Sequence, residues 1–236
     1  MANSPSLRSH LRSVLPAKVA DALRATRIFL EGLRLSWMGR RKAFREIYLR
    51  NTWGDPDTVS GPGSNLKQTE ELRRALPALL AKYNIQSILD VACGDFFWMK
   101  EVPLGDVRYV GIDIVPEIVS SNNARYRTGM RNFIEGDIVR DPLPSAELVI
   151  CKDVFLHFSM RDIGAALGNL KRSGSRYLLT NSYPKCPRNR DITTGMVRPI
   201  NLQASPFHFP PPSHSIDNGQ SPEELFGIWS LAELPF

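Results

Sequence analysis

Three aspartates recur where short apolar runs end: Asp90 in Ser87-Ile-Leu-Asp-Val-Ala-Cys-Gly-Asp95, Asp113 in Tyr109-Val-Gly-Ile-Asp-Ile114, and Asp137 in Phe133-Ile-Glu-Gly-Asp-Ile138. The first is followed by a turn of small residues. Gly94 lets a backbone come close where a side chain would block it, and Ala92 and Cys93 are small enough to help. An acid about 20 residues beyond a glycine turn, at the end of the next strand, is placed to hold the two hydroxyls of a ribose. A pyrophosphate would favour several glycines and a helix start free of negative charge, but here one glycine stands between Asp90 and Asp95. Those carboxylates repel phosphate and suit a nucleoside bearing a positive centre and an ammonium group. A fourth run leads into Lys152, Asp153 and His157. Asp153 and His157 are four apart, so a helical turn would bring them to one side. His157 titrates near neutrality and is the better candidate base; the structural alternative is a buried histidine bonded to a carbonyl.

The elements that must position these residues follow from the rhythm of the chain. Nearly continuous apolar runs at 87–92, 108–114, 132–138, 148–154 and 176–183 predict parallel strands covered on both faces. Helices are expected at 116–127, opened by Pro116, and at 160–171. Two terminal strands are expected within 208–217 and 225–231. The fold class is therefore α/β: a Rossmann-like, doubly wound, seven-stranded, mostly parallel sheet with helices on both faces and an N-terminal helical extension. Ligands of such sheets bind beyond the carboxyl ends of the strands, where the strand order reverses.

Ahead of the sheet, Ser64 or Asn65 is expected to cap a helix running to about Lys82, kinked or shortened by Pro77. The glycine-rich loop with Ser60, Gly61 and Gly63 is expected to close over a ligand. Trp98 is expected in the core or at the ligand's edge, with Phe97 in the core. The proline-rich segment 184–215 reads as a long surface excursion, with Phe207, His208 and Phe209 expected to wall a pocket and Tyr183, Asn181 and Asp191 to meet an acceptor.

The 236 residues are 42% hydrophobic and 23% charged, the composition of a globular chain. Their net charge of +6 is unevenly spread: residues 1–50 hold eleven Lys and Arg against three acids, a net +8, leaving −2 for the remainder. Residues 1–50 are therefore expected to form a basic amphipathic helical arm, and residues 51–236 the catalytic domain. Within the arm, residues 1–16 read as a loose tail. A helix follows with Val19, Leu23, Leu30, Leu33 and Trp37 on one face and Arg24, Arg27 and Arg34 on another. That helix is expected to pack on the body, the alternatives being a membrane-surface or acidic partner for residues 17–50, or a transit peptide. Because the basic character belongs to the arm, there is no strong nucleic-acid signal. Cys93, Cys151 and Cys186 form no CxxC pair, and no apolar run spans a bilayer, so a reduced, cytoplasmic compartment is expected.

Asp90-Val-Ala-Cys-Gly94, Gly111-Ile-Asp113, Glu135-Gly-Asp137 and Cys151-Lys-Asp-Val-Phe-Leu-His157 resemble the successive motifs of the class I S-adenosylmethionine-dependent methyltransferases. The likeness covers about residues 60 to 183, and "SGPGS", "DVACGDFFWM" and "RPINLQASPFHFPPP" resemble a bacterial subgroup of small methyltransferases. The resemblance implies S-adenosyl-L-methionine as cofactor. It assigns the methionyl part to Asp90 and Gly94 in the first turn, the ribose to Asp113 and the adenine amine to Asp137, with Ile114 and Ile138 as adenine walls. Ala92, Cys93, Lys152 and Gly61 complete the expected cofactor set, with Asp153 and His157 as catalytic candidates. The first motif departs from the family's two or three glycines, since only Gly94 remains.

Several absences bear on the acceptor. No Asn/Asp-Pro-Pro-aromatic motif follows the fourth strand, and no cysteine pair suggests cytosine-C5 chemistry. Asp153 with Asn181 partly resembles a catechol-type metal site, but Ser182 stands where a further carboxylate is needed, so no metal is expected. The leading expectation is methyl transfer to oxygen or nitrogen of a small metabolite or glycan precursor. The alternatives are an RNA- or other macromolecule-modifying enzyme using the arm, and a non-catalytic binding protein of the same fold.

Overall fold

A computed structural model describes residues 17–236; the tail expected at residues 1–16 lies outside them. The seven strands are β1 (Ser87–Val91), β2 (Arg108–Asp113), β3 (Arg131–Glu135), β4 (Leu148–Cys151), β5 (Tyr177–Ser182), β6 (His214–Asp217) and β7 (Leu225–Ser230). They form one sheet in the order β3-β2-β1-β4-β5-β7-β6. β1 to β5 pair in parallel, and β7 runs antiparallel between β5 and β6. The order reverses between β1 and β4, so the chain leaves these neighbouring strands in opposite directions and opens a crevice at their carboxyl ends.

Alternating side chains send the strand residues into two cores. Leu89, Val149 and Leu178 join one face, where helix α5 (Met160–Arg172) packs Ile163, Ala166, Leu167 and Leu170 at helical spacing. Ile88, Ile150 and Leu179 join the other, against Leu72, Leu76, Leu79 and Leu80 of α3 (Glu70–Lys82). α5 begins where Ser159 Oγ accepts the Asp162 N–H at 3.1 Å. α4 (Pro116–Tyr126) starts on its proline, as its sequence predicts.

One expectation about α3, its start, is corrected, and its end at Lys82 is the expected one. It starts at Glu70, because Asn65 Oδ1 accepts the Gln68 N–H at 2.9 Å and the Thr69 hydroxyl donates to the Asn65 carbonyl, a local turn that competes with helix. It also continues through Pro77 to Lys82, held by its buried leucine face.

The arm contains two helices, α1 (Ala17–Ser36) and α2 (Arg40–Leu49), which meet at Gly39. α2 is tied to the body. Arg40 pairs with Asp137 at 2.7 Å and Asp162 at 3.1 Å, Arg41 with Glu135, and Arg45 with Glu117. α1 departs from expectation: Leu35 is buried, yet the predicted packing face of Val19, Leu23, Leu30, Leu33 and Trp37 is exposed. The side chain of Arg24 lies outside the described residues.

The excursion after β5 is also more deeply built in than its composition suggests. Ile200, Leu202, Phe207 and Phe209 join the α5-side core, and the buried Arg198 donates to the Phe155 and Phe158 carbonyls at 2.7 Å each. Phe207 and Phe209 are thus core residues rather than pocket walls; Phe209 meets Trp229 edge-on at 5.4 Å. Among the described residues no helix is long and apolar enough to cross a membrane.

Candidate active site

The β1 turn and β2 converge as their sequence predicts: Gly94 N–H donates to Asp113 Oδ2 at 3.0 Å, and Val115 N–H to its Oδ1 at 2.9 Å. Gly94 has φ +55°, and a Cβ there would collide with Ser60 Oγ, so a side chain at this position costs backbone strain and displaces Ser60. Ala92, the residue after β1, and Asp153, after β4, also adopt left-handed backbone, with φ +57° each. Non-glycine residues persist in that region where surrounding structure over-determines them, and here both stand at the order reversal.

A cavity of about 980 Å³, counted out to its open mouth, occupies the crevice. Asp90, Ala92, Cys93 and Gly94 line it from β1. Asp113 and Ile114 line it from β2, Asp137 and Ile138 from beyond β3, and Lys152, Asp153 and His157 from beyond β4. Trp98 is buried and lines it as well, while Phe96, not Phe97, fills the core beneath. Of the predicted cofactor residues, Gly61 alone does not reach this cavity. It lies against Trp53, at φ +87°, and lines a second cavity next door.

Burial pushes the Asp90 carboxyl up to about 7, only partly offset by the Tyr109 hydroxyl, which donates to Oδ2 at 2.6 Å, and by the charge of Lys152. Burial likewise raises Asp113 to about 6, against the stabilising N–H groups of Val115 and Gly94. Both carboxyls gain from a cationic ligand, and neither invites a phosphate. Burial raises the thiols of Cys93 and Cys151 well above their usual range, which leaves them unreactive at neutral pH.

The role of Asp95 was not legible beforehand. Its carboxylate accepts from Thr58 Oγ1 at 2.8 Å, Ser60 Oγ at 2.8 Å and Val59 N–H at 3.2 Å, so it straps the 58–64 loop across the turn. The only hint in sequence is the Thr58-Val-Ser60 hydroxyl pair. Lys152 fixes the loop's far end through the Gly63 carbonyl at 2.7 Å. Also unforeseen are Phe44 and Tyr48 of α2, which wall the first cavity, and Arg40, whose guanidinium occupies the Asp137 carboxylate. Asp137, expected beside an adenine amine, does line the cavity and is also paired with Arg40 of the arm.

Asp153 and His157 do share a side, but through a single 3-10 turn (Phe155–His157) rather than an α-helical one. Asn181 holds Asp153 from both ends: its Oδ1 accepts the Asp153 N–H and its Nδ2 donates to Asp153 Oδ1, each at 2.9 Å. The same Nδ2 donates to Glu224 Oε1 at 2.8 Å. Lys152 contacts Asp153 Oδ2. His157 stacks on Trp53 at 4.9 Å, and its Nδ1 lies 3.0 Å from the Met196 carbonyl. A carbonyl only accepts, so Nδ1 carries the hydrogen and Nε2 presents its lone pair. Burial lowers the His157 pKa from the ordinary histidine value, which keeps the ring neutral.

Trp53, Ser60, Lys152, Asp153 and His157 line both cavities. The second is completed by Tyr183, Asn218 and Glu224; burial raises the pKa of Tyr183 and of Glu224. Asp191, another expected acceptor contact, is elsewhere, accepting the Met160 N–H at 2.8 Å. Among the described residues no group of three or more His, Cys, Asp or Glu is arranged to hold a metal.

Residues 88–174, from β1 to the end of α5, match the sequence model of a family described as a methyltransferase domain. That stretch is therefore similar in sequence to a methyltransferase domain. Solved structures share its fold. The N-methyltransferase NodS from Bradyrhizobium japonicum WM9, crystallised with S-adenosyl-L-homocysteine, superposes with a TM-score of 0.56 at 15% identity over 81% of this chain and 98% of that one. PH0226 from Pyrococcus horikoshii OT3 gives 0.51 at 15% identity over 72% and 95%. The methyltransferase domain of the bacterial CtHen1-CN gives 0.50 at 9% over 69% and 99%. Identities this low speak for the fold alone and not for an activity or an acceptor. A comparison with curated protein sequences returns no match.

Proposed function

We propose that this chain is a class I S-adenosylmethionine-dependent methyltransferase, which transfers a methyl group from S-adenosylmethionine, held in the first cavity, to an oxygen or nitrogen of a small metabolite or glycan precursor held in the second. The observation that supports this reading is the wall common to both cavities, made of Trp53, Ser60, Lys152, Asp153 and His157. The donor set fits the cofactor. Each Asp113 oxygen accepts one N–H and keeps a further lone pair for a ribose hydroxyl. Asp90 offers negative charge to the methionyl ammonium, Ala92, Cys93 and Gly94 leave room for the chain, and Ile114 and Ile138 flank the adenine, with the Asp137–Arg40 pair at its edge. S-adenosylmethionine supplies an electrophilic methyl group on a sulfonium.

The protein's own part is alignment and proton removal. His157 Nε2 accepts the proton the acceptor loses, in the tautomer fixed by Met196. Asp153, locked by Asn181 and Lys152, orients the acceptor, and Glu224 and Tyr183 bind its polar groups. Residues 51–236 form the catalytic body in this reading, and the arm lends Phe44 and Tyr48 to the cofactor wall. Residues 17–50 also have the separate role of meeting a membrane surface or an acidic partner. Arg40, Arg41 and Arg45 are already held by acids of the body, which favours a small acceptor over a nucleic-acid backbone.

The test is a metabolite screen with isotopically labelled methyl donor, read by mass spectrometry for a gain of one CH₂. An acceptor methylated by the wild type but not by His157→Ala supports the reading. Failure of the chain to bind S-adenosylhomocysteine in calorimetry overturns it.

A further inference from the structure

Helix α1 leaves its apolar side in solvent, and over residues 19–30 every described residue is exposed. At 100° per residue Val19, Leu23, Phe29, Leu30, Leu33 and Trp37 fall within an arc of about 120°, and all six are exposed, from 43% for Val19 to 89% for Trp37. Only the last turn meets the body, through Leu35, which is 3% exposed and packs against Gly195, and Gly32, which lies against Met196; Ile28, on that same side one turn or more earlier, is exposed. A helix held by a body should show the reverse arrangement, so the outward arc is unpartnered among the described residues.

The charge of the arm divides along the same line. From Arg34 onward its cations are largely spoken for, Arg34 by Glu31 and Glu46, and Arg40, Arg41 and Arg45 by acids of the body. Residues 1–33 hold Arg8, Arg12, Lys18, Arg24 and Arg27 against Asp21 and Glu31, a net +3. Arg8 and Arg12 precede the described residues, and residues 17–33 by themselves keep a net +1, so the segment that carries the exposed arc is positive.

We propose that α1 lies in the interface of an anionic lipid bilayer, its apolar arc among the acyl chains and its cations at the headgroups. Charge decides between occupants: a second copy seated on the same arc would bring two positive segments together, whereas anionic lipid complements both the arc and the charge. Trp37, at the end of the arc, is the residue type that settles at headgroup level. The helix lies on the surface rather than crossing it, since it is not apolar enough to span. This inference deepens the contact role given to residues 17–50 and is independent of the methyl-transfer reading.

The full chain is sedimented with vesicles of phosphatidylcholine alone and with about 30% phosphatidylglycerol. It is expected to sediment with the anionic vesicles, more weakly as salt rises. Leu23→Glu/Leu30→Glu is expected to weaken this at least about tenfold, since both side chains leave the acyl region. Calorimetry with S-adenosylhomocysteine on the same variant reads folding and cofactor binding separately, and its heat is expected to be unchanged. Lack of sedimentation with anionic vesicles, or sedimentation unaffected by the double substitution, overturns the proposal. So does a concentration-dependent dimer in light scattering that the substitution dissolves, which assigns the arc to a second copy, or binding that is lost to an acidic protein surface alone.

Discussion

On the β1–β2–β3 side of the crevice, Asp90, Gly94, Asp113 and Asp137 each stand within or just beyond the end of their own strand, and the decisive contact, Gly94 to Asp113, joins adjacent parallel strands. On the β4–β5 side, Asp153 is fixed by Asn181, 28 positions later, and His157 by Met196, 39 positions later, through a loop pinned by Arg198. In the proposed reading the donor half is a product of strand register, and the acceptor half is a product of a long loop folding back. Substitutions in the first are expected to strike cofactor binding, and in the second the acceptor and the proton.

The largest expected effect tests the acceptor half. His157→Ala should lower kcat by about 100-fold or more, the contribution of a positioned base, with S-adenosylhomocysteine affinity intact. Because burial lowers the pKa of this histidine, the acid limb of the wild-type rate profile should lie below the usual histidine value near 6.5, as protonation removes the Nε2 lone pair. A variant whose pH profile keeps that limb would show that the ring is only structural.

Next comes the donor half. Asp113→Ala removes an acceptor of charge-assisted hydrogen bonds, about 3 kcal/mol, so the Kd for S-adenosylhomocysteine should rise about 100-fold by calorimetry. An unchanged Kd would remove the ribose assignment and break the contrast between the halves. Gly94→Ala should weaken the same binding about tenfold, through roughly 1 to 2 kcal/mol of left-handed backbone strain and displacement of Ser60. Glu224→Gln should raise acceptor KM about tenfold, one charge-assisted bond, and leave the cofactor Kd alone; an effect on both would mean the halves are not separable.

The smallest effect is a proton count. In the free protein Asp90 titrates at about 7 and Asp113 at about 6, both above the ordinary aspartate value. A cationic ligand holds both ionised, so binding releases protons, and affinity rises with pH up to about 7 and flattens above. Calorimetry near pH 6.5 in two buffers of different ionisation enthalpy should show this release, and Asp90→Asn should diminish it.

The strands, the helices at 116–126 and 160–172 and the donor-side acids were legible because each depends on local alternation, an initiating proline or cap, and an acid at a strand end. Glu224, Arg198 and Asp95 carried no such local mark. Their roles arise from contacts with residues distant in sequence: Asp95 with Thr58 and Ser60, Arg198 with Phe155 and Phe158, Glu224 with Asn181. Phe207 and Phe209 were misplaced for the same reason: an aromatic in a proline-rich segment reads alike whether it walls a pocket or enters a core. Asp137 shows the limit within the donor half, since its partner Arg40 lies 97 positions away.

By itself, the order of residues determined an α/β sheet whose carboxyl rim presents a glycine turn and acids suited to a cationic nucleoside, because strand period and strand-end spacing are short-range properties of the chain. Tertiary structure alone decided that α1 leaves its apolar face in solvent, that Arg40 of the arm pairs with Asp137, and that a second cavity shares a wall with the first. Periodicity reveals that a face is apolar but not what it meets, and pairings across tens of residues are settled only by how the loops and helices pack.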